Sequence, residues 1–396
     1  MILKSRFLKR NHSFLIVAIL IFLWRLLFEW RGLISTPLSA EVGWIEDAKN
    51  YSFRKNLTIP DAGYPVPLLR SALWLVVHLT KNHAGIALHF LSLVIACVSC
   101  GAVLFIKNTN IPRINLGLIA LILGAFPPPD LLLWHNLSYF TFIPLIIVIL
   151  NMQDAPDESI KWYVSATGIL ILFTTKPQLL MAAGILLISL LLLSKERGLQ
   201  KLISYSAVLG IIAILIVLGR SDNSQVALYV GMHQILYFLT SPFILPAAIL
   251  FPVITMGFSA YSYSIGNQEL WNISQGTITI ISALITYLMF LTVIKVKKLD
   301  LNQKLLLATI VPLILSFYTF CNSGLALKFY WQDISTIPLY SRHWLPFLFL
   351  SLLFISSFWS KISIFKLKHL LGFLFCQLGI LGVLGYGTYY SPIFTK

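Results

Sequence analysis

The chain has 396 residues, of which 58% are hydrophobic and only 11% charged, with a mean hydropathy of +0.85. A polypeptide this apolar is excluded from folding as two or three water-soluble domains, and hydropathy predicts one all-α, polytopic transmembrane helix bundle over residues 1–396. The formal charge of +15 would suit nucleic acid if it were gathered on one soluble face, but 17 of the 29 basic residues fall with only five acidic ones in the N-terminus and one set of short loops. That asymmetry is the positive-inside pattern, so the charge reports topology and no nucleic-acid partner is expected.

In chain order, Lys4, Arg6, Lys9 and Arg10 place the N-terminus in the cytoplasm, and His12 to Trp30 leads outward. Leu38-Ser39-Ala40 resembles a signal-peptidase site, but Arg25 and Glu29 interrupt the apolar run and many spans follow, so an uncleaved anchor is expected. Residues 31–83 form the first outer loop, polar and aromatic up to residue 65. Within it, Pro67 to Thr80 is apolar but short. It rises about 21 Å against a hydrocarbon core of roughly 30 Å, and it carries Arg70 and His78, which predicts a helix lying in the interface.

Ala84 to Ile106 returns to Lys107 and Arg113. Leu116 to Phe126 goes out and stops at Pro127-Pro128-Pro129, which cannot continue a helix. Phe140 to Leu150 comes back in. Trp162 to Phe173 and Leu179 to Leu193 are joined by Thr174-Thr175-Lys176-Pro177-Gln178, and Leu202 to Leu218 leads outward. Residues 220–274 are an outer or re-entrant region with two short apolar runs. Thr277 to Ile294, Leu305 to Phe320, His343 to Phe358 and Leu370 to Tyr386 complete 11 spans, or 13 if the ambiguous region contributes two. Of the four cysteines, Cys97 and Cys100 lie inside an apolar helix and are expected as packing residues. No nucleotide-binding motif occurs.

The outer face on this topology collects the residues that can carry chemistry. Trp44-Ile45-Glu46-Asp47-Ala48-Lys49-Asn50-Tyr51 places adjacent carboxylates just past the first span, and Glu41 precedes them. Carboxylates are costly in such a chain unless they sit in water or in a site. One of the three can act as general base toward a hydroxyl. Arg70, Lys176 and Arg342 are isolated cations suited to a phosphate. For Lys176, snorkelling to the surface explains the position equally well. Tyr64, His135, Asn136 and His343 are candidate substrate-binding groups, although most Trp and Tyr here also fit an interfacial belt. Arg25 and Glu29 lie four apart on one helix and can pair. The Asn-x-Ser/Thr sequons at Asn56, Asn136 and Asn272 are assigned no role.

Glu46-Asp47, then Asp61-Ala62-Gly63-Tyr64 and Pro67-Leu68-Leu69-Arg70, resemble the opening of bacterial multi-spanning proteins similar to GT-C-type glycosyltransferases, including the enzymes that glucosylate O-antigen. The Pro-rich turn with Asn136 before an aromatic span, Thr175-Lys176-Pro177 and Ser341-Arg342-His343-Trp344 extend the resemblance over roughly residues 40–345. Lys176 replaces the family's more usual Gly, and His343 its Tyr. The resemblance implies a GT-C-like bundle in the bacterial inner membrane with its active site on the outer, periplasmic face. It implies a polyprenyl-phosphate sugar donor, a glycan acceptor such as O-antigen, inverting displacement, and a first-loop carboxylate as base. A flippase and a polyprenyl-phosphate sugar synthase would be its partners. No cofactor is required, although some relatives use a divalent metal. Two other readings stand beside it: an O-antigen or capsule polymerase, for which 220–274 is poor in arginine, and a transporter of lipid-linked oligosaccharides, which would want charges around a central cavity.

Overall fold

The computed structural model describes residues 11–26, 39–59, 66–107, 111–125, 134, 137–153, 155–174, 177–193, 199–218, 299–300, 303–307, 309–310 and 344–359. Every regular element among them is helical. We number the principal helices α1 (Asn11–Leu26), α2 (Ser39–Asn50), α3 (Phe53–Thr58), α4 (Pro67–Thr80), α5 (Ala84–Gly101) and α6 (Arg113–Ala125). They continue with α7 (Leu137–Met152), α8 (Asp157–Phe173), α9 (Pro177–Leu193), α10 (Leu199–Leu218) and α11 (Trp344–Trp359).

One helical stretch, Pro67–Phe105, is long and apolar enough to cross a membrane. It divides at Lys81, whose φ of 48° and ψ of −105° leave the helical region for a conformation that glycine adopts far more readily than lysine. The Lys81 N–H still reaches the Val77 carbonyl, so α4 is capped and α5 starts afresh after a single 3-10 turn. By itself α5 rises about 27 Å, and the 3-10 turn Ala102–Phe105 carries it past roughly 30 Å, the thickness of a hydrocarbon core.

Two apolar clusters organise the packing. The larger joins α1 and α5 to α11, with Phe140, Phe142, Phe349 and Phe354 fully enclosed. Cys97 and Cys100 are buried inside it and form no disulfide, in keeping with a packing role. Helices α1 and α6 approach closely at Gly124, where a Cβ would stand 2.5 Å from two side-chain carbons of Ile21. Arg25, one turn further on, is buried and donates from Nε to the Gly124 carbonyl at 2.7 Å. It thereby satisfies a carbonyl at the end of α6, just before the three prolines. The sequence suggested Glu29 as its partner, and Glu29 lies outside the described residues.

Gly124→Ala should therefore cost about 1–3 kcal/mol, the usual penalty for overpacking a tight core. A branched Ile21 cannot swing clear, so the measured melting temperature of the detergent-solubilised protein should fall. Combining Gly124→Ala with Ile21→Ala should recover part of the loss. An unchanged melting temperature for the single variant would mean that the two helices are not in this contact.

The smaller cluster is Ile45, Ala48, Val66, Leu69, Leu73, Val77, Ala84, Leu88, Trp134 and Leu137. It packs α2 and α4 against the start of α5, and it supports the candidate site.

Candidate functional site

The stretch 31–65, expected as a loop, contains two helices among its described residues. In α2 the apolar pair Ile45 and Ala48, spaced by three, is buried on α4. That stripe is narrow because the helix is mostly polar, which is why its periodicity is weak in the sequence. Once Ile45 and Ala48 face inward, the directions of the neighbouring carboxylates follow. Successive residues on a helix diverge by about 100°, so Glu46 points to the exposed side and Asp47 turns toward α4.

Asp47 meets Arg70 there. Arg70 Nη1 lies 3.0 Å from Asp47 Oδ2, with the Arg70 side chain 2% exposed and that of Asp47 32% exposed. The Trp44 ring, three residues before Asp47 on the same side of α2, lies under the guanidinium with its centroid 4.1 Å from Arg70 Cζ. The cation is thus held on one side by a carboxylate and on another by an indole face. Of the ion pair only the carboxylate is open to solvent, so an incoming group can reach Asp47 while Arg70 stands behind it.

Three features hold Arg70 at that point. Pro67 occupies the first helical position of α4, where its missing N–H costs nothing, and Ser71 Oγ bonds the Pro67 carbonyl at 2.6 Å. Asn56, fully buried at the foot of α3, donates from Nδ2 to the Arg70 carbonyl at 2.7 Å. Trp134, 1% exposed, donates from Nε1 to the Leu69 carbonyl at 3.0 Å. A carbonyl has two lone pairs, so these bonds add to the helical ladder and fix where this turn of α4 sits. The Asn56 sequon, assigned no role from sequence, is a buried structural anchor. One turn along, Trp74 Nε1 bonds the Tyr51 carbonyl at 3.2 Å and stacks on His78 with centroids 3.8 Å apart, which continues the α2–α4 contact outward.

The chain matches no protein-family model, no curated protein and no solved structure.

Of the sequence-predicted site residues, the structure brings together Asp47 and Arg70. Glu46 is beside them but exposed, and Glu41 lies in the first turn of α2, where its backbone alone is described. Tyr64, His135, Asn136, Lys176, Arg342 and His343 lie outside the described residues, as does the 220–274 region. Phe173, at the end of α8, packs against the small cluster, and the following Thr174 hydroxyl is 3.0 Å from that of Thr141 in α7. The segment that leads toward Lys176 thus starts beside α4. Among the described residues no group of three His, Cys, Asp or Glu side chains is placed to hold a metal ion. Trp44, Asn56 and Trp134 carry the site; from sequence the two tryptophans read as outer-face aromatics and Asn56 was given no role. Tryptophan beside a membrane reads first as a belt residue, and no local pattern reveals that an indole N–H bonds a carbonyl 65 positions away.

Proposed function

We propose that this chain is a GT-C-type integral-membrane glycosyltransferase, with Asp47 as its base. It moves a sugar from a polyprenyl-phosphate donor to a glycan on the outer face of the bacterial inner membrane. The observation that carries the proposal is the Asp47–Arg70 pair: a part-exposed carboxylate backed by a buried cation and fixed to a rigid pair of helices.

In the reaction the acceptor hydroxyl attacks the anomeric carbon from the face opposite the phosphate. Its oxygen forms the new glycosidic bond, its proton passes to Asp47, and the old C–O bond breaks with its electron pair leaving on polyprenyl phosphate. The anomeric centre inverts. Arg70 is a positioning residue for the carboxylate in this scheme, since its guanidinium is enclosed by Asp47 and Trp44. Lys176 and Arg342 are assigned the charge of the departing phosphate. No step calls for a metal.

The apolar exterior supports a bilayer setting. Leu15, Leu23, Ile169, Leu192, Ile203 and Ile214 are all exposed on helices α1 and α8 to α10, where a water-soluble bundle would carry charge. Leu75 and Leu79 are exposed on α4, opposite its buried Leu69, Leu73 and Val77, as befits a helix lying in the interface with lipid on one side.

The test is transfer in membranes containing the chain, a radiolabelled polyprenyl-phosphate sugar and an acceptor glycan. Single-sugar additions support the proposal, a ladder of repeat units would make the chain a polymerase, and no product from any donor would overturn it. The topology has its own check. Reporter fusions should place the N-terminus and residues 107–115, 195–202 and 295–304 in the cytoplasm and residue 50 outside. A cytoplasmic signal from residue 50 would remove the outer-face site altogether.

A further inference from the structure

We propose that Trp134 is a positioning residue for Asp47, acting through the Leu69 carbonyl and Arg70. The inference rests on reading Asp47 as the reactive carboxylate. It adds that the turn before α7 sets where that carboxylate is held. Among the described residues Trp134 is the largest fully buried side chain, and the Nε1–H it donates to Leu69 O at 3.0 Å is itself buried. The bond is made to the residue directly before Arg70, within the first turn of α4. Here Val66 supplies no side-chain cap; it ties the turn only through its carbonyl, which accepts the Arg70 N–H at 2.9 Å, and its buried apolar side chain.

Asn56 holds the adjacent carbonyl, that of Arg70, at 2.7 Å. Two side chains from separate segments thus grip consecutive carbonyls of one helical turn. Asn56 comes from the segment linking α2 to α4, and Trp134 from the turn between α6 and α7. Arg70 projects from this turn to Asp47 at 3.0 Å. Rotating or sliding α4 by a fraction of an ångström moves the guanidinium directly, because a helix transmits such a shift as a rigid body. The ring of Trp134 also packs with Leu69, Leu73 and Leu137, so its indole serves both as wedge and as donor. Leu137, three residues on, begins α7, and Thr141 on the same helix bonds Thr174 ahead of Lys176. Through Trp134, therefore, the carboxylate and the segment leading to the proposed phosphate cation share one support.

The experiment compares Trp134→Phe, which keeps an aromatic wedge and loses the N–H, with Trp134→His, which keeps a ring N–H on a smaller ring. Asp47 is tagged at a fixed pH by a water-soluble carbodiimide and an amine, in the full-length protein in native membranes, and its labelling is divided by that of Glu46. Glu46 is exposed and adjacent, so it normalises for reagent and protein amount, while general loosening is read from Trp134→His, whose smaller ring disturbs the packing but keeps the N–H. Release of Asp47 from Arg70 raises the ratio alone. The expected result is a rise of roughly two- to tenfold in Trp134→Phe, the population change one hydrogen bond sustains, with Trp134→His closer to wild type. Sugar transfer by Trp134→Phe should fall in kcat with little change in KM for the acceptor.

A wild-type ratio in Trp134→Phe, or an equal rise in both variants, overturns the proposal. If Trp134→Phe does not accumulate, Trp134→His decides alone: a wild-type ratio supports the clamp and a raised one overturns it. The labelling needs no substrate, so its failure counts against the clamp. A failure of the unmodified chain to transfer any sugar counts against the glycosyltransferase reading.

Discussion

Asp47→Asn is expected to abolish sugar transfer, with a loss of about 10²- to 10⁴-fold, the range a general base supplies. Asparagine is isosteric and keeps a side-chain oxygen for Arg70, so the α2–α4 contact survives in shape while the proton acceptor is gone. Glu46→Gln should leave transfer within a few-fold of wild type, because the Glu46 side chain is exposed and turned away from Arg70. Glu41→Gln is the fallback test, since its position one turn or more before Asp47 on α2 keeps it on the same helix. The measurement is glycan modification by each variant at matched membrane abundance. Full activity in Asp47→Asn would discard this carboxylate as the base, and with it the argument from Arg70.

How much of this could be read in the sequence depended on the kind of signal. The bounds Pro67 to Thr80 for α4 coincide with the structure residue for residue, because a proline start and a continuous apolar run leave little choice. The apolar runs that form α5 to α10 were legible for the same reason, although α8 begins five residues before the expected Trp162 and α7 and α10 begin three before Phe140 and Leu202. Helix α2 was not. Its buried face is only Ile45, Ala48 and part of Trp44, and its remaining positions are polar or small, so periodicity gave no helix.

The site followed the same division. Adjacent acids in an apolar chain drew notice by cost alone, and Arg70 did so as a lone cation on an apolar helix. That they pair, and that Glu46 does not, depends on the 100° step of a helix the sequence did not reveal. Likewise Arg25 has a backbone carbonyl of α6 as a partner, which local pairing rules cannot find. The resemblance to GT-C-type enzymes rests on short motifs alone, and no family model, curated protein or solved structure matches the chain.

Arg70→Met is the companion expectation and it separates stability from chemistry. Arg70 is 2% exposed, and Asp47 and the Trp44 ring both stabilise its charge there. Removing one member of such an ion pair strands the other, a change that commonly costs about 3–5 kcal/mol when both are buried. Here Asp47 retains access to water, so Arg70→Met should cost less than Asp47→Ala, which leaves the enclosed guanidinium without its carboxylate. The double variant Asp47→Asn with Arg70→Met replaces the pair by neutral groups of similar volume and should recover stability close to that of the unmodified chain. It should not recover transfer, because no proton acceptor remains. Arg70→Met alone should retain the acceptor but lose its orientation, so its kcat should fall while Asp47 is still present. The decisive comparison is thermal unfolding and sugar transfer measured on all four proteins. If the double variant is no more stable than Asp47→Ala, the pair is not the buried contact described here. If Arg70→Met transfers sugar at the wild-type rate, the guanidinium does not position the base.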